Sequence, residues 1–316
     1  MASSRYLVPA AGVIVLLVLG VAAGLYLTSG PGSTTTSSSG GPRKVQVVAG
    51  ENFWGSLVSQ LGGTRVQVLS IVTDPNADPH QYESNSANAQ AIAIANLVIV
   101  NGGGYDDWLL RLLSASNNPG QIVLNVQKLI GQPLATNPHF WYSPYYVNDT
   151  VKAMYNALVS FDSSNAAYYR QQYVTLNASL AVYNARIHKI AQQFSGAPVA
   201  ATEDIFVYLA NATKLNLVSP PEFMQAVAEG NDPPAQSIAQ FQQLLQGGNR
   251  SVRVLVYNQQ TVTPLTQLIR SMAVENQIPT VGMTETVQPL DVPFQNWMNG
   301  QLIALQNALS AQALGK

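Results

Sequence analysis

Two histidines stand in near-matching surroundings, Asp78-Pro79-His80-Gln81-Tyr82-Glu83 and Asn137-Pro138-His139-Phe140-Trp141. The chain holds only three histidines and no cysteine, so both turns draw on a small supply of metal-binding side chains. A proline before each histidine fixes its own φ and keeps the preceding residue extended. That geometry holds an imidazole at a loop tip, where its neutral nitrogen can bind a divalent metal. One Pro-His pair in a loop is a common accident; the matched flanks of the two pairs argue against accident.

A metal site joins neutral imidazoles to ionised carboxylates in a cleft. The completing acids are expected beyond strand ends in the second half of the chain. Glu203 follows the β-rich run Pro198–Ala201, and Glu285 follows Pro279–Val281. Asp204 and Asp291 are the competing acids, and Glu203 and Asp204 could both serve as charges at a helix N-terminus. His188, the third histidine, has Arg186 and Lys189 beside it. Their charge opposes a bound cation, so His188 belongs to a solvated helix face.

The elements that must position these residues alternate between β-rich runs and helical stretches. Strands are predicted at Val45–Ala49, Val66–Val72, Leu97–Val100 and Ile122–Leu124. Helices are predicted at Phe53–Leu61, Ser86–Ala95 and Asp106–Leu113. This order gives a mostly parallel sheet with helices on both faces, and ligands bind such sheets beyond the carboxyl ends of strands. Gly102-Gly103-Gly104 lacks both the dinucleotide spacing and the P-loop lysine, and is predicted as a tight turn. Ser163 to Phe194 has no Pro or Gly and carries apolar residues at helical spacing, so it is predicted as one long helix. A second alternation follows: strand Pro198–Ala201, a helix from Ile205, helix Gln236–Leu245, strand Val252–Val256, helix Leu265–Val274, strand Pro279–Val281 and helix Phe294–Ala313. The expected fold class is α/β, with two lobes, each a mostly parallel sheet with flanking helices, joined by one long rigid helix. The metal cleft is expected between the lobes.

Composition narrows the function. A net charge of −1 offers no basic field for nucleic acid. The absence of cysteine removes disulfides, thiolate metal sites, a cysteine nucleophile and a lipidated cysteine. Charged residues make up 10% of the chain, well below the usual quarter, and an uncharged polar surface suits an acidic exterior. Tyr6 to Leu27 is apolar and uncharged, long enough to cross a bilayer, with Arg5 before it. It is predicted to remain as an anchor, because the run exceeds a signal-peptide core of about 7–15 residues. The expected organisation is a membrane anchor or signal segment at 1–27, a Gly/Ser/Thr linker at 28–43, an N-terminal lobe at 44–162, the connecting helix at 163–194 and a C-terminal lobe at 195–316. The body is therefore expected outside the cytoplasm, tethered to the membrane. Sequons at Asn148, Asn177, Asn211 and Asn249 fit a glycosylated surface.

The segment Asp78–Glu83 resembles the D-P-H-x-Y-E motif of the metal-binding subunits of zinc and manganese ABC transporters. Asn137–Trp141 resembles their second segment, commonly D-P-H-x-W. Glu203-Asp204-Ile205-Phe206-Val207-Tyr208 resembles their third, H-x-x-F-x-Y or E-x-x-F-x-Y. Met283-Thr284-Glu285-Thr286 falls where that family places its fourth ligand, usually Asp; here it is Glu. The resemblance runs from Lys44 to the carboxyl end and implies His80, His139, Glu203 and Glu285 as ligands. It implies a receptor, not an enzyme, that hands Zn²⁺ or Mn²⁺ to an ABC permease and its ATPase. The His-rich loop of many zinc receptors is absent. Two imidazoles with two carboxylates suit Zn²⁺, Mn²⁺ or Fe²⁺, and the protein is expected as a monomer. The alternatives are an adhesin-like surface protein with a structural metal and a zinc hydrolase. The hydrolase lacks H-E-x-x-H, and four protein ligands leave no open position for water.

Overall fold

Val-, Ile- and Leu-rich runs, each followed by a helix start, build the first sheet. Its elements in chain order are β1 (Val45–Glu51), α1 (Asn52–Gly62), β2 (Val66–Val72), α2 (Ser86–Ile94), β3 (Leu97–Val100), α3 (Asp107–Ala115), β4 (Ile122–Asn125) and α4 (Val126–Leu129). The computed structural model describes residues 44–76, 79–133, 137–248 and 251–311. The expected anchor Tyr6–Leu27, the linker after it and the Asn249 sequon lie outside the described residues. No described helix is long and apolar enough to cross a membrane.

The first sheet has the order β2-β1-β3-β4, and every pairing is parallel. The chain then forms α5 (Pro144–Phe161) and α6 (Ala166–Phe194). The second sheet repeats the plan with β5 (Pro198–Ala201), α7 (Val207–Ala212), β6 (Asn216–Leu217), α8 (Pro221–Ala228), α9 (Ala235–Gln246), β7 (Val254–Asn258), α10 (Pro264–Glu275), β8 (Thr280–Met283) and α11 (Phe294–Ala311). Its order is β6-β5-β7-β8, again all parallel. Parallel pairing sends every strand's carboxyl end the same way within its sheet, so the strand-end loops gather on one edge.

Local chemistry explains the helix starts. Asn85 caps α2 by accepting from Ala87 N and Asn88 N, and the Asn88 side chain closes the box. Ser143 caps α5, and Thr263 with Thr266 forms the same box on α10. Proline opens α5, α8 and α10, where the missing N–H costs nothing.

The structure departs from the sequence expectation at α4, α5, β6 and α8, which have no predicted counterpart, and at the start of α6. Residues 144–161 carry no predicted helix, yet α5 runs through them. Its buried face, Val147, Val151, Met154 and Leu158, has helical spacing, but interleaved tyrosines and the exposed Asn148 sequon dilute the periodicity. The long helix begins at Ala166, because Ser163–Asn165 forms a separate 3₁₀ turn held by Asp162.

At 29 residues, α6 is about 43 Å long and serves both sheets. Near its start Tyr168 accepts from Thr64 N at 3.0 Å. At its end the Phe194 ring lies under the Arg253 guanidinium, beside β7. Its buried stripe, from Tyr169 through Leu180 and Tyr183 to Phe194, joins one core that runs continuously from Val47 of β1 to Val256 of β7. Arg186 on α6 donates to Asn299 and Gln306 on α11.

Candidate metal centre

Both acids lie just beyond strands, and both histidines lie in loops, His80 after β2 and His139 between α4 and α5. His80 lies in a 3₁₀ turn, Pro79–Gln81, after β2. His139 precedes the 3₁₀ turn Phe140–Tyr142 that leads into α5. Glu203 follows β5, and Glu285 follows β8. The structure brings His80, His139 and Glu285 together, with one potential ligand atom of each within 4.8 Å of the others. His80 Nε2 is 3.6 Å and His139 Nε2 is 4.0 Å from Glu285 Oε2. Ligands bound to one metal at about 2.0–2.2 Å sit about 3–4 Å apart, so these spacings match a shared ion closely.

His139 is fully buried, and its orientation is set from behind. Its Nδ1 lies 2.9 Å from Asn137 Oδ1 and 3.0 Å from Asp204 Oδ1. Two oxygens at Nδ1 keep that nitrogen protonated and fix the ring with Nε2 facing Glu285. His139 Nε2 is buried with no hydrogen-bond partner. A buried polar nitrogen without a partner is costly and fits a position meant for a metal. Asn137 is held in turn, donating to Asp204 O at 2.6 Å and accepting through its own carbonyl from Tyr208 at 2.8 Å.

Glu203 stands one amide away from the group of three. Asn258, at the end of β7, donates through Nδ2 to Glu203 Oε1 and to Glu285 Oε1, each at 2.5 Å. Tyr105 donates to Glu285 Oε2 at 2.6 Å, and Gln260 Oε1 accepts from Glu285 N at 2.7 Å. Asp204, the competitor to Glu203, turns to His139. Asp291 is exposed and lines a separate polar cavity with Asn52 and Ser56. His188 is exposed on α6.

Tyr105, Asn258 and Gln260 were not legible as site residues. Asn258 ends β7, Gln260 follows it and Tyr105 lies in the turn after β3, but neutral side chains carry no metal-ligand signal of their own in the sequence. The Gly102–Gly104 turn is as predicted, with φ of +77°, +70° and +84°. The positive φ of Gly103 favours glycine, and a Cβ there would also sit tightly, 3.2 Å from Phe140 and 3.4 Å from Pro138.

The electrostatics are those of a cation site. Burial lowers the pKa of His139, but the Asp204 hydrogen bond and the charges of Asp204, Glu285 and Glu203 more than offset this and raise it to about 9. Burial and the charge of Glu285 raise the pKa of Glu203, while His139 and the hydrogen bonds from Asn258 and Thr261 oppose the shift. Burial first and the neighbouring carboxylate second push Glu203 toward its neutral form, and the surrounding carboxylates push His139 toward its charged form. A cavity of about 540 Å³ opens onto His80, Asn137 and Asp204 and gives the centre a route to solvent.

The family model described as ZnuA, zinc-uptake complex component A, periplasmic, matches residues 47–308. The chain belongs to that family. A Chlamydia trachomatis relative is 28% identical over 157 residues, 48% of this chain and 56% of that one. The manganese-binding lipoprotein MntA of Halalkalibacterium halodurans is 29% identical over 148 residues, 45% of this chain and 48% of its own. The chain thus spans about half the length of these curated relatives. The fold is shared more widely. The periplasmic zinc-binding protein TroA from Treponema pallidum superposes with a TM-score of 0.70 at 16% identity, over 84% of this chain and 99% of that one. FpvC from Pseudomonas aeruginosa, solved in complex with Mn²⁺, gives 0.70 at 19% identity, over 85% and 99%.

Proposed function

We propose that this protein is an extracytoplasmic receptor that binds one divalent transition metal, Zn²⁺ or Mn²⁺, and delivers it to an ABC permease and its ATPase. The observation that carries the reading is the convergence of His80, His139 and Glu285 from both lobes around buried, cation-seeking charge. Glu203 completes the set when its carboxylate turns from the shared Asn258 amide onto the ion. Family membership supports receptor over hydrolase, and the names of TroA and MntA, a zinc and a manganese binder, support both metals. The proposed placement is outside the cytoplasm, tethered by the segment Tyr6–Leu27. The adhesin-like alternative uses the same centre with a structural metal, and metal-dependent uptake by the cognate transporter separates the two.

The test is calorimetry on the metal-stripped protein, and the pKa shifts dictate its form. A metal takes the lone pair that a proton occupies, so binding must expel protons. The pKa of His139, about 9, stands above its ordinary value of 6.5. Its charged form therefore stabilises the metal-free fold fully below about 6.5, and that contribution is lost as pH rises through about 9. Glu203 is also raised, so its contribution is present at low pH and is likewise lost as pH rises. Uptake near pH 7 should then release about one to two protons per metal, seen as a dependence of the heat on the buffer. Affinity should climb between pH 7 and 9, a higher window than the ordinary range of histidine near 6.5 suggests. A stoichiometry other than one, or binding with no proton release at neutral pH, counts against the centre described.

His188→Ala should leave affinity unchanged, because His188 is exposed on a helix remote in sequence from every strand-end loop. A tenfold loss, about 1.4 kcal/mol, in a metal titration would return His188 to the list of ligands.

A further inference from the structure

Helix α1 carries Asn52, Ser56 and Gln60 at intervals of four residues, so the three side chains lie along one face of the helix. That polar stripe meets the second lobe at three successive points of the chain after β8. Asn52 opens α1 and is 7% exposed. It engages both backbone groups of Val287: its Oδ1 accepts from Val287 N at 2.9 Å, and its Nδ2 donates to Val287 O at 3.2 Å. The side-chain amide thus pairs with Val287 as a neighbouring strand would. Ser56 Oγ accepts from Phe294 N at 3.0 Å, the first N–H of α11, which that helix cannot satisfy itself. Gln60 and Gln295 donate to each other's side-chain oxygens, at 3.2 and 2.8 Å. Gln295 also donates to Ser179 on α6 at 3.0 Å.

The first rung of this ladder lies next to the metal centre, since Val287 is two residues beyond Glu285. On the other side of Glu285, the Tyr142 hydroxyl donates to Thr284 O at 2.8 Å. Glu285 therefore stands between two backbone positions, each held by a side chain from the half of the chain that supplies His80 and His139. The carboxylate and the imidazoles come from different lobes. Their separations of 3.6 and 4.0 Å depend on how the Glu285 loop is registered against the first lobe.

We propose that Asn52 is a positioning residue for metal binding: its amide docks on the Val287 backbone and presets the Glu285 loop against the two histidines, and Ser56 and Gln60 extend the docking along α1. This rests on the receptor reading above. Groups that hold a ligand in place commonly contribute 10–100-fold in affinity. Asn52 holds the backbone beside the ligand, so its effect belongs at the lower end of that range.

The test titrates full-length variants with Zn²⁺ against a competing chelator. Asn52→Ala should lose about tenfold in affinity. Gln60→Ala also breaks a contact between the lobes, but far along the ladder from Glu285, and should stay within about threefold of wild type. That contrast separates positioning from a general loosening of the lobes. The second measurement combines Asn52→Ala with Glu285→Ala. Because Asn52 acts through that carboxylate, the combined variant should bind within about threefold of Glu285→Ala alone. If Asn52→Ala does not fold, Asn52→Ser takes its place in both comparisons, since a single hydroxyl cannot reproduce the paired amide contacts. Wild-type affinity in the Asn52 variant, an equal loss in Gln60→Ala, or full additivity with Glu285→Ala would each overturn the role of Asn52 while leaving the receptor intact. A wild-type chain that binds no Zn²⁺ and no Mn²⁺ overturns both.

Discussion

A His80→Ala, His139→Ala double variant is expected to lose metal affinity by on the order of 10³-fold or more, about 4 kcal/mol. The two imidazole centroids are 5.5 Å apart, and both Nε2 atoms face the same Glu285 oxygen. Removing a supporting residue costs about 10–100-fold, and removing a ligand costs more. The single variants should separate by burial. The His80 side chain is 22% exposed at the mouth of the cavity, whereas His139 is enclosed. His80→Ala should therefore weaken binding and leave the thermal midpoint of the metal-free protein unchanged. His139→Ala should weaken binding and also lower that midpoint, because it strips the one buried positive charge from beside Asp204, Glu203 and Glu285. Competition titration and thermal melts without metal read the two effects. Binding by the double variant at wild-type strength would sink the receptor reading.

The strand-end rule explains why so much of this site was legible. Each sheet is all parallel, so a β-rich run marks where its following loop emerges, and His80, Glu203 and Glu285 each follow one. The Pro-His pairs supply the imidazoles, one in the loop after β2 and one in the loop between α4 and α5. What stayed hidden was the arrangement among loops. Nothing in the run Leu255–Asn258 says that one amide will face two carboxylates, because that contact joins residues from three separate strand ends. Asp204, a competing acid in the sequence, faces His139 Nδ1 at 3.0 Å, a position that depends on which way a single loop turns. The fold was clearer than the site because periodicity is local, whereas α5 was missed where tyrosines blurred that periodicity.

The identity of the second-lobe ligand gives the other large effect. Glu285→Ala should cost on the order of 10²-fold or more in affinity, while Asp291→Ala should stay within about 0.5 kcal/mol of wild type, as exposed substitutions do. Both acids lie in the segment beyond β8, so sequence position alone favours Glu285 only weakly. Packing decides it. Glu285 is fully buried, with Tyr105 and Asn258 donating to its two oxygens and Gln260 holding its backbone N–H. Three fixed contacts leave the carboxylate little freedom to lose when a metal arrives. Asp291 is exposed and lines a different cavity, on the side of Asn52 and Ser56. Reaching the histidines would require this segment to unseat Val287, whose N–H donates to Asn52 at 2.9 Å and whose carbonyl accepts from the same side chain at 3.2 Å. The extra methylene of Glu285 over aspartate has a structural counterpart, since it lets one carboxylate meet Tyr105 from the first lobe and Asn258 from the second. Glu285→Asp should thus bind metal better than Glu285→Ala yet more weakly than wild type, because the shorter side chain cannot keep both donors and the ion. Parallel titrations of the three variants with Zn²⁺ and Mn²⁺ measure this order, and a larger loss in Asp291→Ala than in Glu285→Ala would transfer the ligand assignment to Asp291.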